Sequence, residues 1–323
     1  MRSKLRLIPL FLSVLIFALS VVAIWQRQAV YDWVRLRNYT PPQEIVALAD
    51  ATTMNDRTKR LFYVYHPSLE DKASFNRLCT DSEKTVVLGC YIAGKGIYIY
   101  NVTDERLAGI EEVTAAHEML HAAYERLSGR ERARVDALTA EAFAAISDQR
   151  IRDTVEQYRQ KDESIVPNEL HSILASEVRD LPEDLENYYS RYFNDRKAIV
   201  AFSEQYQAAF TQRQAKLKEY DSRLEQLKAE INQLQVVLEA QETELARERQ
   251  NLETLRSQQR LSEYNEAVPG FNERVRKYNA DASRVRTLID TYNKLVVARN
   301  EIATEENELI KAIDSRPSTI ETQ

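Results

Sequence analysis

Two histidines four residues apart, His117 and His121, bracket Glu118 in the segment TAAHEMLHAAY at residues 114–124. On a helix, residues four apart lie on one face, so both imidazoles can turn a nitrogen to a single metal ion. Zinc accepts such donors, and a zinc site that does chemistry needs three protein ligands and one open position for water. Glu118, next to the first histidine, can reach that water without being a ligand. A carboxylate so placed takes a proton from the water and can return it to a leaving amine. The alternative is an ordinary helix face that happens to spell HExxH. The neighbours argue against it, because Val113, Ala115, Ala116, Met119, Leu120, Ala122 and Ala123 make the segment small or apolar nearly all round. A helix of that kind is buried, and there two histidines and a carboxylate are costly unless something satisfies them together.

A third ligand has to come from elsewhere. No histidine follows at the short spacing of the metzincin form. The later stretch VPNELHSILASEV, residues 166–178, supplies Glu169, His171 and Glu177. Glu169 is the choice for the metal. Glu177 lies a little over two turns further on, roughly on the same side. It is read as a carboxylate that orients a ligating histidine or as an alternative ligand, and His171 is a further alternative. Each has an ordinary reading too: an acid favoured at a helix N-terminus for Glu169, a solvated face for Glu177. Tyr158, Tyr188, Tyr189 and His171 are candidates to hold developing negative charge, and each is also a plausible packing aromatic.

The elements that must position these groups follow from composition and punctuation. The chain has 323 residues and a formal net charge of −6, with no basic stripe, which argues against nucleic acid as a partner. Residues 1–6 form a basic stub with Arg2, Lys4 and Arg6, expected on the cytoplasmic side. Residues 7–25, LIPLFLSVLIFALSVVAIW, carry no charge and are long enough to span a bilayer as a helix. A signal peptide cleaved near Ala18-Leu19-Ser20 is the alternative. Cys79 and Cys90, the only cysteines, flank CTDSEKTVVLGC and can close it as a disulfide, which implies an oxidising compartment. A single-pass membrane protein of the cell envelope, with its bulk outside the cytoplasm, is the expectation.

Residues 26–41 read as a linker that ends at Pro41-Pro42, where a short helix starts. RLFYVYHP, residues 60–67, reads as a strand. KTVVLGCYIAGKGIYIYNV, residues 84–102, reads as a hairpin around Gly94-Lys95-Gly96. Its GIYIYNV half could be a sheet edge along which a peptide adds as a further strand. The HExxH helix runs to Leu127 and closes at Ser128-Gly129. Helices at about 131–146 and 148–160 follow, then helices opened by Pro167 and Pro182.

From Arg196 the character changes. Leu217, Leu224, Ile231, Leu238, Leu245 and Leu252 recur every seventh residue. Tyr220, Leu227, Leu234 and Leu255 fill the second apolar position, which Gln241 and Glu248 interrupt. That is a coiled-coil pattern. Val268-Pro269-Gly270 reads as its turn, and Val275, Tyr278, Ala282, Val285, Ile289, Tyr292 and Val296 as the stripe of a returning helix. An antiparallel hairpin over 196–313 results, with one helix kinked at Pro269 and paired with another chain as the alternative. It could dock a partner, self-associate or cover the site. Residues 314–323 read as a disordered tail.

The strand pair, the HExxH helix and the Asn168-Glu169 helix about fifty residues on resemble the gluzincin metallopeptidases, in particular compact forms such as the lethal factor catalytic domain. The likeness covers residues 62–193 and rests on His117, Glu118, His121 and Glu169. It implies one Zn2+ per chain on His117, His121 and Glu169, with Glu118 as general base, and a peptide or protein substrate. The chain departs from that pattern one turn after Glu169, where Ser172 and Ile173 stand in place of an acid. TAAHEMLHAAYERL, NELHSILASE and the coiled-coil tail together are also similar to bacterial envelope proteins. The expected fold is α+β: a transmembrane helix, a metallopeptidase domain at 42–195 with a short antiparallel sheet, and the helical hairpin. The competing readings are an envelope coiled-coil scaffold or adaptor whose HExxH domain is structural or degenerate, and an amidase acting on cell-wall peptide.

Overall fold

The computed structural model describes Ser13, Phe17, residues 26–79 and residues 87–316. The basic stub, the expected span at 7–25 apart from Ser13 and Phe17, and residues 317–323 lie outside them. Among the described residues no helix is long and apolar enough to cross a membrane. The chain forms two units, one from residues 1–208 with 311–323 and the other from residues 209–310. The second unit is thus inserted within the first. The expected boundary at 195/196 does not separate them.

In the first unit the expected linker at 26–41 contains a helix, α1 (Arg27–Leu36). Composition hid it because long-range contacts hold it. Tyr31 and Leu36 pack on the core, Arg35 donates to the Val64 and Lys95 carbonyls at 3.0 and 2.8 Å, and Arg126 clamps Asp32 at 3.0 and 2.8 Å. Helix α2 (Gln43–Ala51) starts behind Pro42 as expected and buries Ile45, Leu48 and Ala49. The strand expected at 60–67 is largely helix α3 (Asp56–Val64). Asn55 caps it by accepting from the Thr58 N–H at 3.0 Å, and Thr58 and Phe62, four apart, bury the same face. Burial of that face overrides the strand preference of Phe-Tyr-Val-Tyr.

Strand β1 (Ser68–Glu70), helix α4 (Lys72–Leu78), β2 (Gly89–Ile92) and β3 (Gly96–Tyr100) follow. The β2–β3 hairpin turns at Gly94, whose φ of 72° suits glycine. The sheet order is β1-β3-β2, with β3 antiparallel to β2 and parallel to β1. The sheet is therefore mixed, where an antiparallel one was expected, because β1 joins the hairpin on the β3 side and runs parallel to β3. GIYIYNV supplies the central strand and is no edge. Ile97 and Ile99 are buried from one face, and Tyr98 and Tyr100 lie on the other.

Helices α5 (Ile110–Glu125), α6 (Gly129–Ala144), α7 (Gln149–Lys161), α8 (Val166–Glu177) and α9 (Glu183–Tyr189) complete this unit, together with the first turns of α10 (Arg196–Ser257) and the end of α11 (Leu261–Ile313). Ser128 caps α6 through a capping box with Glu131, and so opens the next helix as α5 closes. Pro167 sits in the first turn of α8, as read from sequence. Arg196, 3% exposed, seals the far end of α8. Its guanidinium donates to the carbonyls of Ala175, Val178 and Arg179 at 3.0, 2.6 and 2.8 Å, and to Glu186 at 2.7 Å. The expected disorder from 314 does not begin there. Lys72 holds the Asp314 carbonyl at 2.7 Å, and the buried Ser315 hydroxyl donates to the Val87 carbonyl at 2.6 Å.

In the inserted unit α10 and α11 pack antiparallel. Asp221 pairs with Arg299 at 2.9 Å, Glu230 with Arg284 at 2.6 Å and Glu248 with Arg274 at 2.6 Å, so one number falls as the other rises. The heptad leucines face the seam, with Leu227 and Leu255 buried. Both interruptions carry cross-seam polar partners: Glu248 has Arg274, and Gln241 donates to Asp281 at 2.8 Å. Such pairs fix register. On α11 Leu288 takes the seam position assigned to Ile289, which is exposed. The turn lies at 258–260, ahead of the expected 268–270. Gln259 adopts a left-handed φ of 59°, and the Arg260 and Gln259 N–H groups return to the Leu255 and Arg256 carbonyls at 2.9 and 3.2 Å. This is a Schellman closure with glutamine where glycine is usual. Pro269 lies inside α11.

Candidate metal centre

Helix α5 is buried on nearly every side, and its main partner is α8. The two helices bring three donors together: nitrogens of His117 and His121 and a carboxylate oxygen of Glu169 lie within 4.8 Å of one another. His117 Nε2 is 3.5 Å from Glu169 Oε2 and His121 Nε2 is 3.7 Å from Glu169 Oε1. The imidazole planes stand at 80°, with centroids 4.7 Å apart. Burial raises the Glu169 carboxyl, but the facing imidazoles prevail and hold it below its ordinary value. Even so, Glu169 Oε2 is shut off from solvent and accepts no hydrogen bond of normal geometry among the described residues. A buried carboxylate oxygen without a donor, facing two imidazole nitrogens, fits a cation. Two nitrogens and one oxygen are the donor types zinc takes.

Glu118 is 6% exposed and stands beside this trio in the same cavity of about 290 Å3. Burial pushes its carboxyl up to about 7, Glu169 adds to the rise, and His121 and the Tyr91 backbone N–H oppose it. Strand β2 crosses directly over it. A β-carbon built on Gly89 would fall 2.5 Å from Thr114 Cγ2 and 2.7 Å from Glu118 Cγ. The backbone can come this close only where there is no side chain.

The remaining site residues divide. Tyr158 lines the cavity. Burial above all, then the charges of Glu169 and Glu118, drive its phenol far above the ordinary range and keep it protonated. Asn168 also lines the cavity, and its Oδ1 is buried without a partner among the described residues. Glu177 is not in the donor cluster and orients no histidine, because its carboxylate pairs with Arg150 at 2.6 Å. The hydroxyl that meets a ligand nitrogen belongs to Ser172, 3.4 Å from His121 Nδ1. His171 is fully buried and turned away, its Nε2 3.0 Å from the Tyr188 hydroxyl. Tyr189 donates to the His171 carbonyl at 2.8 Å. Tyr188 and Tyr189 therefore brace α8 and do not line the cavity. Cys79 and Cys90 are joined as expected, and both border the cavity.

Sequence reasoning missed Gly89, Tyr91 and Ser172. An isolated glycine inside a strand signals a close backbone approach, so Gly89 had a readable sign. Ser172 had none beyond its place one turn after Glu169. Compared with known proteins, the chain matches no protein-family model, no curated protein and no solved structure.

Proposed function

We propose that the chain is a zinc-dependent metallopeptidase of gluzincin type, with His117, His121 and Glu169 as its metal ligands and Glu118 as general base. The observation that carries this reading is that Glu118 stays outside the donor trio yet shares its cavity. A purely structural site has no use for a fourth, buried and unligated carboxylate.

A zinc ion held by the three donors would supply Lewis acidity, which polarises a carbonyl and makes water a stronger acid. The protein's own groups do the rest. Glu118, whose carboxyl is poised near neutrality by burial, accepts a proton from the attacking water at a carboxylate oxygen and passes it to the leaving nitrogen. The protonated Tyr158 hydroxyl can donate to the oxygen on which negative charge develops. Asn168 lines the same cavity beside Glu169. Edge strand β2 borders the cavity through Gly89 to Ile92 and offers backbone groups to an extended peptide. The disulfide supports an extracytoplasmic location. Within this reading the hairpin is a place for a protein partner or for self-association.

The test is cleavage of a mixed fluorogenic peptide pool by the full chain, with zinc content measured in parallel. Wild type should carry one zinc and cleave. Glu118→Gln should keep the zinc and lose cleavage by about 100-fold or more. Zinc without cleavage in wild type, together with zinc loss in Glu118→Gln, would make the centre structural and the protein an envelope scaffold.

A further inference from the structure

Helix α1 is amphipathic in an unusual sense. Its inward face, with Tyr31, Asp32, Arg35 and Leu36, holds the charged side chains that bond to the core. Its outward face carries Val30, Trp33 and Val34, which are 48, 58 and 48% exposed. These three sit at helical spacing and form one patch. Arg27 and Arg37 stand at its two ends, and the Arg37 guanidinium lies 5.6 Å from the centre of the Trp33 ring. Among the described residues nothing covers the patch.

Chain length and charge name the occupant. The uncharged apolar run ends at Trp25 and α1 begins at Arg27, with Gln26 alone between them. One residue spans at most about 3.6 Å, so a bilayer that holds the run leaves α1 at headgroup depth. Tryptophan concentrates at that depth, and helices with an apolar face flanked by arginines lie in it. Arg27 and Arg37, both exposed at the ends of the patch, complement anionic headgroups.

We propose that α1 is an interfacial membrane helix, lying on an anionic bilayer surface with Val30, Trp33 and Val34 among the headgroups. The proposal rests on the reading of residues 7–25 as a membrane span. Its consequence is that the first unit is held in one orientation on the membrane, because Arg126 and Arg35 lock α1 to the core.

The two tryptophans separate the proposal from the reading beneath it. In the full chain, reconstituted in vesicles containing anionic lipid, Trp33→Phe leaves Trp25 as the sole indole and reports on the span. Trp25→Phe leaves Trp33 and reports on α1. Lipids brominated near the glycerol should quench both, with Trp33 emission shifted to the blue and its quenching reduced when anionic lipid is omitted. Quenched Trp25 with unquenched Trp33 would overturn the α1 proposal and leave the span intact. Failure of both variants to be quenched would overturn both. Blue-shifted Trp33 that is quenched by no lipid and accompanied by dimers in cross-linking would assign the patch to a second copy of the chain, and so overturn the proposal as well.

Discussion

Gly89 lies directly over Glu118: a β-carbon on the glycine would stand 2.7 Å from Glu118 Cγ and 2.8 Å from Glu118 Oε1. The strand and the carboxylate therefore position each other. The Tyr91 N–H, two residues along β2, bonds the same carboxylate. Gly89→Ala has no flexible neighbour to push aside except the Glu118 side chain itself. The expected cost is about 1–3 kcal/mol of stability from overpacking, with a larger loss of turnover than of zinc. Urea unfolding, zinc content and peptide cleavage on one preparation check it. Unchanged cleavage would show that Glu118 can move without consequence, which a general base cannot.

The ligand set predicts an ordered series of zinc affinities. Glu169→Ala removes the only carboxylate in the donor trio and should abolish stoichiometric zinc. Ser172→Ala removes the hydroxyl at 3.4 Å from His121 Nδ1. Groups that orient a ligand are typically worth about 10–100-fold in affinity, and the length of this bond places it near the low end. Glu177→Ala breaks the pair with Arg150 and the long 3.5 Å bond from Gln207 and should leave zinc affinity within about twofold, since removing a part-exposed ion pair costs roughly 1 kcal/mol of stability and no ligand. Competition with a chromogenic chelator ranks the three. Equal losses in Glu169→Ala and Glu177→Ala would disprove the assignment.

The disulfide borders the cavity and fixes Cys90, which sits between Gly89 and Tyr91. Its sequence separation of 11 sets the loop it closes. The chain-entropy estimate for such a loop is about 3 kcal/mol. Cys79→Ser with Cys90→Ser should lower unfolding free energy by about that amount. Activity should fall as well, because β2 loses its anchor beside Glu118. Denaturant curves of the variant and of wild type with and without reductant measure the effect. Coincident curves would show that β2 is held by its pairing with β3 alone.

What could be read from the chain was what local chemistry dictates. His117, Glu118 and His121 share a face because helix geometry requires it, and Pro167 announced the helix that carries Glu169. The heptad leucines and Gly94 were legible for the same reason. Residues 56–64 were not, because burial of Thr58 and Phe62 outweighs the strand preference of the aromatic run. Helix α1 was hidden because arginine side chains from distant segments hold it. The turn went unread because Gln259 takes a glycine's conformation, and proline at 269 was a louder signal. Ser172 and the fate of Glu177 depend on which way α8 faces, a matter of packing that spacing leaves open to within one residue.

The hairpin test follows from where the chain re-enters the first unit. Cutting at Arg196 looks natural on the heptad pattern. It would remove the guanidinium that caps α8 on three carbonyls, the buried Ile199 and Val200, and the Ser315 bond to Val87 on the cavity wall. Leaving those carbonyls without donors costs on the order of 1–3 kcal/mol each, enough to unfold a domain of ordinary stability. Excising 209–310 and rejoining the ends with a short flexible loop keeps every one of these contacts. The excised chain should fold, bind one zinc and cleave peptides, whereas the chain ending at residue 195 should be insoluble or zinc-free. Zinc content and thermal melts of the two shortened chains decide the point. A several-fold rise in cleavage on excision would assign the hairpin an inhibitory role. Loss of folding on excision would show that the first unit needs the hairpin, against the division of contacts seen here.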